Sequence, residues 1–157
     1  MMLMDDMYKD IAGVIKGIPP RLLDTFGSEH IREAACRLVE CLSLVNLPCD
    51  QETLDHWRKL IYTSLERKEE TVQQFAVEAF GAFSATYGVD QQAIDTCLDK
   101  IRSSRMIYGR RGYALAVGKL SYIQQERYGW LSQVLWALCS AAQVQVLDFF
   151  LFFVPYK

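Results

Sequence analysis

The strongest constraint on this chain is an internal repeat. Asp50-Gln51-x-x-Leu54-Asp55 returns forty residues later as Asp90-Gln91-x-x-Ile94-Asp95. Ile61 and Ile101 keep the same offset, and so do Phe75-Ala76-Val77 and Leu115-Ala116-Val117 in the segment after each. A period near 40 with two helices per unit is the pattern of HEAT-type arrays. One such unit cannot bury its apolar face alone, so neighbouring units must stack. The fold class expected is all-α, a HEAT/armadillo-like α-solenoid of antiparallel helix pairs over residues 1–143, followed by an atypical apolar tail, 144–157. Three antiparallel pairs and no β-sheet are predicted, with helices beginning near Asp50 and Asp90 in equivalent places.

Apolar spacing supplies the individual helices. A first short stripe runs from about Asp5 to Lys16 and stops at Gly17 and Pro19-Pro20. A second opens at Ser28, a candidate N-cap, and places Ile31, Ala34, Ala35, Leu38, Leu42 and Val45 on one face before Asn46 and Pro48 end it. A third begins at Asp50 with Leu54, Trp57, Ile61 and Leu65. The fourth carries Val72, Phe75, Ala76, Ala79, Phe80 and Phe83 up to Gly88, a C-terminal stop. The fifth carries Ile94, Cys97, Leu98 and Ile101. The sixth, Met106 to Leu120, is apolar nearly all round, which suits a helix packed on more than one side. Its Gly112 and Gly118 lower helix propensity and are expected where backbones approach closely. A seventh opens near Glu126 with Leu131, Val134, Leu135 and Leu138. Nowhere does the chain alternate like a strand or offer an Asn-Gly or Asp-Gly hairpin turn.

The apolar content of 51% is enough for one sizeable core. The formal charge of −2 gives no bulk reason to expect a nucleic-acid or membrane partner. Five cysteines without Cys-x-x-Cys spacing, beside two histidines, assemble no zinc pattern and fit reduced thiols in the cytosol. The start, Met1-Met2-Leu3-Met4-Asp5-Asp6, lacks the basic region of a signal peptide. The apolar stretch Leu131–Val154 is interrupted by Ser132, Gln133, Ser140, Gln143, Gln145 and Asp148, so it reads as a buried helix rather than a membrane span.

Chemical constellations are few. Gly109-x-x-Gly112 beside Arg110 and Arg111 lacks the Lys-Ser/Thr of a P-loop and follows no strand. His30 and His56 fall on helices as solvated or partly exposed residues, without a triad around them. Glu69-Glu70 and Asp5-Asp6 fall at helix starts, where the macrodipole favours acids. No catalytic, metal or cofactor-binding residue is assigned, and the chain is expected not to be an enzyme. Arg102, Arg105, Arg110 and Arg111 cluster across the turn between the fifth and sixth helices. They form either a solvated basic loop or a surface for an acidic partner, where arginine forks grip carboxylates.

Several segments carry a family resemblance. They are Tyr8-Lys9-Asp10-Ile11-Ala12-Gly13-Val14-Ile15-Lys16-Gly17-Ile18-Pro19-Pro20, then Ala34-Ala35-Cys36-Arg37-Leu38-Val39-Glu40 with Leu42-Ser43-Leu44, then Gly112-Tyr113-Ala114-Leu115-Ala116-Val117-Gly118, then a helix containing Gln133-Val134-Leu135. In this order, from about Tyr8 to Leu138, they resemble the C-terminal region of the tubulin-folding cofactor D family. The resemblance implies a long HEAT/armadillo-like solenoid in the cytoplasm, associated with microtubules, that binds β-tubulin. It implies assembly and disassembly of the αβ-tubulin heterodimer with cofactors C and E, non-catalytic stimulation of tubulin GTP hydrolysis, and an Arf-like small GTPase as a further partner. The alternative is a generic HEAT-repeat protein–protein interaction scaffold without tubulin specificity. The chain is far shorter than family members, and residues from Val144 onward do not resemble the family's continuation. With Phe149, Phe150, Phe152 and Phe153 in that tail, one long final helix from Leu131 to Phe149 is expected to cover the open end of the stack, and the isolated chain is expected to self-associate.

Overall fold

The computed structural model describes residue 10 and residues 28–88 and 91–123. Over those residues it is all-helical: α1, Ser28–Leu44; α2, Gln51–Leu65; α3, Glu70–Tyr87; α4, Gln91–Ser103; and α5, Ile107–Ile123. No strand occurs among the described residues. The helices α2 and α4 start forty residues apart, at Gln51 and Gln91, matching the sequence repeat. Apart from Asp10, the stripe near Asp5–Lys16, the stripe after Glu126, the helix start expected near Asp90, and the apolar stretch Leu131–Val154 lie outside the described residues.

Local chemistry sets the helix ends. Asn46 takes φ +52° just past α1. Its N–H bonds the Ser43 carbonyl at 2.9 Å, and the Leu47 N–H reaches back to Leu42 at 3.3 Å. This is the Schellman arrangement, and buried Leu47 and Leu42 supply its apolar contact. Asp50 caps α2, its Oδ1 accepting from the Thr53 N–H at 2.7 Å. Gly88, at φ +83°, closes α3 with its N–H on the Ser84 carbonyl, a backbone geometry that suits glycine. Ser28, expected as a cap, is instead the first helical residue of α1 with its side chain buried.

Side-chain ties fix the directions. Leu65, at the end of α2, meets Gln73, near the start of α3, while Trp57 and Tyr87 meet edge to face at the other end with centroids 6.3 Å apart. Thus α2 and α3 are antiparallel. Glu33 meets Thr71 near the starts of α1 and α3, and the Thr86 hydroxyl donates to the Ser43 carbonyl near their ends. Glu70 meets Arg111, and Glu78 meets Lys119. Helices α1, α3 and α5 therefore run parallel in one row. α2 packs on α3, and α4 packs on α5.

The core lies between the row and the helices leaning on it. Trp57, Ile61, Leu65, Val72, Ala76, Phe80, Phe83, Ile101, Tyr113, Val117 and Leu120 are all buried. Full burial of each large side chain is worth about 1.5–3 kcal/mol. Rings link the layers: Tyr62 lies 6.0 Å from Phe80 and 6.2 Å from Tyr113, within the range of favourable edge contacts. The expected faces of the third to fifth stripes hold, with Leu54 and Phe75 half-buried. That of α1 does not. Ile31, Ala34 and Val45 are exposed, and the buried face is Ser28, Arg32, Ala35, Cys36, Val39, Leu42 and Ser43. The physical reason is Arg32. Its guanidinium is carried inside and donates to the hydroxyls of Thr63 and Ser64 at 3.2 Å. A face containing an arginine and two serines reads as less apolar than the one beside it.

The two glycines of α5 also part company. A Cβ on Gly112 would stand 2.0 Å from the Leu65 carbonyl oxygen, so the close approach expected there is real. A Cβ on Gly118 would meet nothing within 4 Å, and no close approach accounts for that glycine.

Candidate functional site

The turn α2–α3 (66–69) and the turn α4–α5 (104–106) lie side by side at one end of the described stack. Gln73 holds them there. Its Nε2 donates toward the carbonyls of Leu65 at 2.9 Å, Arg67 at 2.7 Å and Tyr108 at 2.5 Å, two protons serving three acceptors. Its Oε1 accepts from Arg111 Nε at 2.8 Å. Gln73 is 1% exposed, so this amide works in a low-dielectric setting where a lost partner is costly. Glu66 makes a second clasp, accepting from Lys100 Nζ at 2.7 Å and the Tyr113 hydroxyl at 3.0 Å. Burial first, then the Glu66 carboxylate, pushes the Tyr113 phenol well above its ordinary range.

The four arginines expected to act together are divided by this arrangement. Arg102, in the last turn of α4, and Arg105, in the following turn, are exposed. Arg110 is half-buried in the first turn of α5. Arg111 is turned onto α3, bonded to Gln73 and ion-paired with Glu70, so it serves the α3–α5 seam. The bland reading, a solvated basic loop, fits Arg102 and Arg105 but not Arg111. Sequence reasoning passed over Gln73 and Glu66. The signal for Gln73 was available, because it shares a helical row with Ala76, Val77, Phe80 and Ser84, all buried.

Glycines 109 and 112 face protein. The added Cβ of Gly109 would stand 2.8 Å from Ser104 Oγ, and that of Gly112 would strike the end of α2. They serve packing of the α5 start. His30 is exposed beside Glu33, and His56 is half-buried on α2. Among the described residues no group of three His, Cys, Asp or Glu could hold a metal ion. Their four cysteines are all free thiols. Burial pushes Cys36 up to about 11 and Cys97 up to about 12, so both are protonated and poor nucleophiles near neutrality. Among the described residues no helix is long and apolar enough to cross a membrane.

A groove of about 440 Å³ runs between α3 and α5, lined by Glu70, Gln73, Gln74, Val77, Glu78, Arg111 and Leu115. Its two carboxylates are eight residues apart, about 12 Å along the helix. Each is neutralised by its own cation, Glu70 by Arg111 and Glu78 by Lys119 at 2.5 Å. That spacing does not let the pair share a proton or straddle one bond, as paired-acid chemistry needs. No protein-family model, no curated protein and no solved structure matches the chain.

Proposed function

We propose that this chain is a binding module of the tubulin-folding chaperone kind, a stretch of HEAT-like solenoid that engages β-tubulin and performs no chemistry itself. The observation that carries the architectural part is the parallel row α1, α3, α5, with α2 and α4 leaning on it and units starting forty residues apart. Each helix pair in such a row covers the open face of the one before. The tubulin assignment rests on the segments Lys16-Gly17-Ile18-Pro19-Pro20 and Gly112–Gly118 in their family order. In this role the chain contributes surface to heterodimer assembly and disassembly alongside cofactors C and E and an Arf-like GTPase. Its part in stimulating GTP hydrolysis is non-catalytic, in keeping with two groove carboxylates that are each ion-paired.

The test is capture of purified αβ-tubulin by the immobilised full chain, read by immunoblot for β-tubulin. A HEAT-repeat scaffold of unrelated sequence serves as control. Saturable capture above that control is expected. Capture no better than the control overturns the tubulin assignment and leaves a general interaction scaffold.

A further inference from the structure

We propose that the paired turns at the Gln73 end form a docking edge for an acidic protein segment bearing an apolar side chain. The proposal deepens the binding-module reading above and rests on that part of it, not on the tubulin assignment.

Three observations converge on this edge. The first is charge. Residues 66–70 and 99–111 hold seven basic side chains against four acidic ones, in a chain whose formal net charge is −2. The surplus is therefore local. The second is placement. One atom, Gln73 Nε2, bonds the carbonyls of Arg67 and Tyr108, so the α2–α3 turn and the start of α5 are pinned within hydrogen-bond reach of a single point. Lys100 on Glu66 repeats the tie. Two stretches far apart in sequence thereby present Lys68, Arg102 and Arg105, all exposed, along one edge. The third is the carboxylates. Glu66, Glu69 and Glu70 are engaged by Lys100, Arg67 and Arg111, so three acids and three bases of the edge offset one another within the fold.

The apolar requirement comes from Met106 and Ile107, 55% and 57% exposed at the start of α5 and immediately after Arg105. Large apolar side chains next to exposed cations suit a partner whose carboxylates flank a hydrophobic residue. An anionic lipid surface fits less well. Glu66, Glu69, Glu70 and Asp99 are interspersed with the cations and oppose a uniformly negative plane, whereas a peptide places its charges locally.

The experiment uses the full chain and fluorescence anisotropy. The probes are a labelled Glu-rich peptide with one central Leu, the same peptide without Leu, and a Lys-rich counterpart, with phosphatidylserine vesicles as a separate arm. Preference for the Glu-rich peptides is expected, weakening with added salt. Lys68→Glu/Arg102→Glu/Arg105→Glu should weaken both Glu-rich peptides at least about tenfold. Met106→Ser/Ile107→Ser should weaken only the Leu-bearing one. Circular dichroism checks the fold. If the triple variant is misfolded, Lys68→Glu/Arg105→Glu, confined to the two turns, carries the test with an expected loss of about threefold. Equal binding of Lys-rich and Glu-rich peptides, unchanged binding by the folded variant, or binding to vesicles alone overturns the proposal. Purified αβ-tubulin separates the two readings. If the wild type binds peptide but not tubulin, only the tubulin assignment falls. If the folded charge-reversal variant captures tubulin and peptide as well as wild type does, only this edge falls.

Discussion

The two seams flanking α3 solve one packing problem in different ways. On the α1 side the contact is broad and apolar, built on Ala35, Cys36, Val39 and Leu42, with polar ties near its ends, at Thr71 and Thr86. On the α5 side the contact is stitched by Gln73, by Arg111 on Glu70, and by Lys119 on Glu78. There the end of α2 comes so near α5 that only a glycine fits, at Gly112. A seam made of volume tolerates adjustment, whereas one made of directed bonds and a backbone contact fixes register. The second kind also places the basic turns.

The sharpest way to break this contrast is Gly112→Ala. With a Cβ only 2.0 Å from the Leu65 oxygen, the helix must move, and a loss of about 3 kcal/mol or more is expected in urea unfolding. A loss below about 1 kcal/mol would mean the stitched seam yields as easily as the apolar one. Next is Gln73→Leu, which strips a donor from three carbonyls and an acceptor from Arg111. About 2 kcal/mol should be lost, more than the change in apolar volume accounts for.

A smaller effect is expected at alkaline pH. Burial raises the folded Cys36 to about 11 and Cys97 to about 12, above the ordinary thiol value of 9.0. Their contribution is whole below about pH 9 and is lost as pH rises toward the folded values. By pH 10 each thiol should cost about 1 kcal/mol of stability, measurable as a fall in the urea midpoint that Cys97→Ser reduces. The smallest is Gly118→Ala. Space is open there, and better helix propensity should add about 0.5–1 kcal/mol.

Much of the fold was legible because period and punctuation agree with it. Asp50, Asn46 and Gly88 mark ends that the structure keeps, and the stripes of α2, α3 and α4 bury as their spacing says. What was hidden depends on partners remote in sequence. Arg32 turns α1 because Thr63 and Ser64 receive it, and no local window contains that fact. Of the basic cluster, Arg102 and Arg105 are where spacing put them. Arg111 is drawn onto α3 by Glu70 and Gln73, 41 and 38 residues away. Spacing could not separate Gly112 from Gly118 either, since the difference lies in what stands opposite each.

The Gln73 amide also bears on how this molecule opens and closes. Its acceptors come from residue 65, residue 67 and residue 108, on both sides of it along the chain. The Tyr108 carbonyl and Arg111 belong to the other helix pair, so release of α5 leaves the buried Gln73 amide without two of its partners. The two pairs should therefore exchange their slowest amide protons together, as one cooperative block rather than as two independent repeats. A bond that spans two helix pairs sets the length over which folding is all-or-none.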